Sequence, residues 1–140
     1  MLDRKPTNKM WFTFKKGRQG TGYEAMTIFM VPVPKFLQRW VPFRGADAYI
    51  LRYQSGTSIP GHVDPVETGS EHHRVNIVIR HPEAGGDFIC AGATRYFNRI
   101  FYFRPDLMRH EVTPCQGTRL VLSFGWVRLP SQNHAPTQPR

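Results

Sequence analysis

Three side chains able to ligate a metal and one permanent cation stand at chemically useful intervals in this 140-residue chain. His62 and Asp64 sit in Gly61-His62-Val63-Asp64, His110 in Arg109-His110-Glu111-Val112, and Arg119 follows nine residues later. A histidine and a carboxylate two residues apart fall on one face of an extended strand, so a single ion can touch both. Adding His110 completes a 2-His-1-carboxylate facial triad, which leaves three coordination positions open and suits non-heme Fe(II) oxygen chemistry. Arg119 carries a guanidinium that grips a carboxylate bidentately.

The elements that must hold these groups read as short strands. Tyr49, Leu51 and Tyr53 alternate along a strand beginning at Ala48, and Ser55-Gly56 turns the chain toward Ile59-Pro60 and the His62/Asp64 pair. Val75, Ile77 and Ile79 alternate with Arg74, Asn76, Val78 and Arg80, the pattern of a strand with one greasy and one largely polar face. His81 to Gly86 is a turn, and Asp87 to Cys90 begins the return strand. Arg99 to Arg104 and His110 to Thr113 follow, then a Pro114-Cys115-Gln116-Gly117 turn and a last strand from Arg119 to Val127. On that strand Leu120, Leu122, Phe124 and Trp126 form the bulky face expected to be packed, while Arg119, Val121, Ser123 and Gly125 would make a cavity wall. A turn centred on Pro114 and Cys115 would set His110 and Arg119 opposite each other across a hairpin.

Before Ala48 the signals are weaker. An apolar knot at Met10 to Phe14 alternates like a short strand, Lys15 to Gly22 reads as a loop, and Tyr23 to Val31 is a second strand. Lys35 to Trp40 has the spacing of a short helix stopped by Pro42. Regular short strands with little helix predict an all-β sandwich or barrel. The chain divides into an N-terminal segment, 1–47, packing on the core and partly loop, a core at 48–129, and a disordered Pro-rich tail at 130–140.

Length and composition are those of one globular domain, with 40% hydrophobic and 13% aromatic residues. No stretch approaches the roughly 20 apolar residues of a membrane span, and the N-terminus lacks the apolar core of a secretory signal. Cys90 and Cys115 make no disulfide framework and no CxxC is present, so a reducing cytoplasm is the expected compartment. The formal net charge of +9 is compatible both with a polyanionic partner such as nucleic acid and with the plainer reading of solvated lysines and arginines. His72, His73, His81 and His134 read as loop or tail residues, and neither cysteine has the partners of a nucleophile.

Taken in order, Leu51-Arg52-Tyr53-Gln54-Ser55-Gly56, His62-Val63-Asp64, Arg74 to Ile79, Gly85-Gly86-Asp87-Phe88, Phe103-Arg104-Pro105-Asp106, His110 to Pro114 and Gly117-Thr118-Arg119 form one pattern. It resembles the Fe(II)/2-oxoglutarate-dependent oxygenases, above all their prolyl-4-hydroxylase-like branch, over Tyr49 to Val127. The resemblance implies a double-stranded β-helix, or jelly roll, with Fe(II) on His62, Asp64 and His110. It implies 2-oxoglutarate on the iron with its far carboxylate on Arg119, and Tyr53 hydrogen-bonded to that co-substrate. The implied reaction consumes O2, decarboxylates 2-oxoglutarate to succinate and hydroxylates a C–H bond. Asn76 is a further co-substrate candidate and Arg74 and Tyr23 are substrate candidates, the first two from the polar face of their strand. A protein or peptide side chain is the substrate class the branch implies. A nucleic-acid-modifying oxygenase and a non-catalytic cupin-like metal or anion-binding module are the rival readings. Val121 two residues after Arg119 departs from the Arg-x-Ser pairing of some branches, and the Arg/Asn/Thr ladder of the alkylated-base repair enzymes is missing.

Overall fold

A computed structural model describes residues 13–17 and 22–129. The expectations for Met10 to Phe12, for 18–21 of the glycine-rich loop and for the tail lie outside the described residues. Twelve strands are described. They are β1 (Lys15–Lys16), β2 (Glu24–Pro32), β3 (Phe43–Tyr53), β4 (Ile59–His62), β5 (Glu71–Arg80) and β6 (Ala84–Gly85). There follow β7 (Phe88–Ile89), β8 (Thr94–Tyr96), β9 (Ile100–Phe103), β10 (His110–Val112), β11 (Cys115–Gln116) and β12 (Arg119–Arg128). One antiparallel sheet runs β1-β2-β3-β12-β5-β9-β8, a smaller one β4-β10-β7, and β11 pairs with β6. Val78, Phe101, Phe103 and Val121 from the large sheet meet Phe88 and Val112 from the small one to make the core. This is a jelly roll, closed on one face and carrying its site between the sheets.

The expected helix at Lys35 to Trp40 shrinks to a 3-10 turn, Leu37–Arg39. Pro34 and Pro42 bracket too few residues to offset the cost of nucleating a longer helix. The strand expected from Ala48 begins at Phe43, and β5 begins at Glu71, so His72 and His73 are strand residues and not loop residues. The return strand after β5 is β9, in register Asn76↔Phe101, whereas β7 pairs with β10 in the other sheet.

Two expectations about the last strand are corrected. His110 and Arg119 do not face each other across a hairpin: β10 lies between β4 and β7, and β12 lies between β3 and β5. Between them β11 pairs with β6, and the chain crosses from one sheet to the other. The bulky face of β12 is also not the packed one. Arg119, Val121, Ser123 and Gly125 are buried toward the interior, while Phe124 is 38% exposed on the outer face. There Phe124 meets Phe29 at 5.9 Å and Trp126 stacks on His73 at 5.3 Å. The interior of β12 has to be narrow because side chains from the neighbouring strands cross it. A Cβ on Gly125 would lie 2.5 Å from the Arg74 guanidinium, so this position admits only glycine while Arg74 stays in place.

Candidate metal centre

His62 ends β4 and pairs in register with His110 at the start of β10, which sets their rings 4.3 Å apart. Asp64 lies just past the strand, not on it, and its backbone N–H donates to the Pro105 carbonyl at 2.8 Å. One turn, Arg104 to Met108, therefore orients two of the three groups, because the Met108 carbonyl also accepts from His110 Nδ1 at 2.9 Å. That turn is closed by Met108 N–H on the Arg104 carbonyl and clamped by Arg104 Nε and Nη2 on the Asp106 carboxylate at 3.0 and 2.6 Å. Burial works against the charge on Asp106, yet the Arg104 guanidinium holds its carboxyl below the ordinary value.

The His62 ring is anchored the same way, with Nδ1 donating to the Pro60 carbonyl at 2.8 Å. A carbonyl only accepts, so each Nδ1 carries a proton and each ring turns its Nε2 toward the Asp64 carboxylate. His62 Nε2 stands 3.3 Å from one Asp64 oxygen and His110 Nε2 stands 3.5 Å from the other. The ligand atoms of the three residues all lie within 4.8 Å of one another. Converging lone pairs of this kind repel unless a proton or a cation sits among them, and the carbonyl anchors are the outer-shell contacts that metal-binding histidines use. Phe103 packs on the His110 ring at 5.1 Å.

The triad opens into a cavity of about 590 Å³ between the sheets. At one end Tyr53 is 3% exposed, and burial pushes its phenol pKa up to about 12, with the charge of Arg119 pulling the other way. Arg119 pairs with Tyr53 across β12 and β3 and lies with its guanidinium 4.9 Å from the ring centroid. Arg119 is itself buried and stands beside Tyr53 without being a wall residue. Among the described residues no carboxylate lies within ion-pair range of it. Tyr23 lines the same end and stacks on Tyr53 at 5.7 Å.

The other end is built by Arg74, Asn76 and Ser123, all cavity residues. Arg74 donates to Ser123 Oγ and to Asp47, each at 2.8 Å, and Ser123 in turn donates to Asn76 Oδ1 at 2.7 Å. His72 also lines the cavity, and burial, reinforced by Arg74, lowers its pKa. Asp47 and His72 escaped the sequence reading, although the period-2 pattern contained both. Extending it back from Tyr49 reaches Asp47, and back from Arg74 reaches His72.

No protein-family model and no curated protein sequence matches the chain. Solved structures do. A Pseudomonas putida prolyl-4-hydroxylase superposes with a TM-score of 0.57 at 14% identity, covering 84% of this chain and 78% of its own. The viral collagen prolyl hydroxylase vCPH of Paramecium Bursaria Chlorella virus-1, solved with 2OG, gives 0.51 at 14% identity over 78% of this chain and 80% of its own. KdgF from Halomonas sp. gives 0.51 at 12% identity, covering 86% and 88%. The chain thus shares the jelly-roll fold of prolyl-4-hydroxylases, at a sequence distance that leaves its chemistry to be argued from its own residues.

Proposed function

We propose that this protein is an Fe(II)/2-oxoglutarate-dependent oxygenase that hydroxylates a C–H bond, with a protein or peptide side chain as its substrate. The carrying observation is the combination of three ligands lining one cavity with a buried guanidinium that stands against the cavity residue Tyr53 and has no carboxylate partner among the described residues. His62 Nε2, the Asp64 carboxylate and His110 Nε2 would hold the iron, leaving positions for 2-oxoglutarate and O2. Bound there, ferrous iron supplies the oxygen activation that couples decarboxylation of 2-oxoglutarate to hydroxylation.

The chain's own residues do the rest. Arg119 takes the far carboxylate of 2-oxoglutarate, since a buried cation with no counter-ion among the described residues is costly and a carboxylate relieves that cost with directed hydrogen bonds. Tyr53 forms the wall beside Arg119, and its phenol, protonated at neutral pH, is available as a hydrogen-bond donor. Phe88 and Phe103 pack against the His110 ring.

Anaerobic addition of Fe(II) and 2-oxoglutarate should give a weak visible charge-transfer band, and air should then produce succinate. His110→Ala should lose both, with iron retention falling about 10- to 100-fold or more. Metal or anion binding with no succinate in air would overturn the oxygenase reading in favour of a cupin-like binding module.

A further inference from the structure

The β2–β3 connection presents exposed apolar side chains at the end of the large sheet where His72 lies, since Gly45 pairs with Val127 and Val127 with His72. Trp40 is 81% exposed and Phe36 is 70% exposed, and Leu37 and Val41 of the same turn are exposed with them. Large apolar side chains exposed together in this way mark an interaction site. Its backbone is well anchored. Trp40 and Val41 N–H both donate to the Leu37 carbonyl at 2.9 Å, and Val33 N–H donates to the Arg44 carbonyl at 2.8 Å. Gln38 Nε2 caps the Val33 carbonyl at 2.8 Å, and Leu129 N–H ties Pro42 to the end of β12 at 2.9 Å. The side chains are therefore presented by a built turn.

The charge of the cluster has one sign. From Ala25 to Ala46 there is no Asp or Glu, while Lys35, Arg39 and Arg44 are all present. Arg44 is paired with Glu67, three residues past Asp64, which ties the hairpin to the segment leaving the metal site. Lys35 and Arg39 carry the remaining charge. Trp, Phe and Arg are among the types enriched at protein interfaces, and the one-signed charge around them complements an acidic segment.

We infer that this hairpin docks an acidic, apolar-anchored segment of a polypeptide substrate and so delivers the target side chain to the neighbouring cavity mouth. This rests on the oxygenase reading for the word substrate, but the docking itself does not require turnover.

The test uses short fluorescein-labelled peptides with Leu or Phe anchors flanked by Asp and Glu, and counterparts with Lys in place of each acid. The full chain should bind the acidic set about tenfold or more tightly than the basic set. Phe36→Ser/Trp40→Ser should weaken that binding about tenfold while leaving peptide-independent succinate formation and Tm unchanged. Lys35→Glu/Arg39→Glu should reverse the preference between the two sets. Binding without any succinate supports the docking surface and overturns the oxygenase reading. Equal or absent binding of both sets overturns the inference. So does capture by vesicles containing phosphatidylglycerol, or a dimer lost in the Phe36/Trp40 variant, if the acidic peptides do not compete.

Discussion

One arginine lines the cavity and another is buried behind its wall beside Tyr53, and the two are kept in opposite ways. Arg74 is committed: Asp47 neutralises it, Ser123 orients it, and Gly125 makes room for it. Arg119 is 2% exposed with an aromatic ring beside it and, among the described residues, no carboxylate in range. A buried cation already paired is part of the architecture. A buried cation left without a counter-ion is a standing cost, and a ligand that brings a carboxylate removes it.

That contrast is open to direct attack. The largest expected effect is on co-substrate affinity. Arg119→Ala should raise the Kd for 2-oxoglutarate about 10²- to 10³-fold, whereas Arg74→Met should change it less than about threefold. Isothermal titration with the Fe(II)-loaded protein under argon measures both, and equal losses would erase the distinction between the two arginines.

Stability without ligand should run the other way, with a smaller effect. Arg74→Met strands Asp47 in a half-buried site and should cost about 1–3 kcal/mol in urea unfolding. Arg119→Met leaves no carboxylate stranded, so it should be neutral or stabilising while abolishing the Tm increase given by 2-oxoglutarate. Destabilisation by Arg119→Met as large as that by Arg74→Met would make Arg119 a structural cation after all.

The smallest effect concerns pH. Tyr53 ionises near 10 in the unfolded chain and near 12 when folded. Its contribution to stability is thus fully present below pH 10 and lost as the pH climbs from there toward 12. Tyr53→Phe should flatten that alkaline limb of the stability curve and leave the neutral region parallel to wild type. A limb unchanged by the substitution would assign the loss to other groups.

How much of this was legible in the residues depends on range. The β3, β5, β9 and β12 strands follow from period-2 alternation, since their inward residues differ in size and polarity from their outward ones. Strand ends were less legible: Asp47 and His72 fell outside the expected strands because polar residues at a cavity wall imitate loop composition. The face of β12 was misjudged for a related reason. Bulk marks burial in a simple two-layer sheet, but a strand lining a cavity must be narrow inside, which leaves Phe124 and Trp126 on the outer face.

By itself the sequence determined the candidate donor groups and their order, His62, Asp64, His110 and then Arg119, because residue chemistry and local spacing need no partner strand to be read. It determined the alternation that makes a β fold obligatory. Only the tertiary structure decided that His110 and Arg119 belong to different sheets. Only it showed that the turn at Arg104 to Met108 orients both Asp64 and His110, and that Arg74 has a carboxylate where Arg119 has none. The physical reason is that strand pairing, burial and counter-ions are set by contacts between residues far apart in the chain, and a local pattern carries no record of which distant strand will supply them.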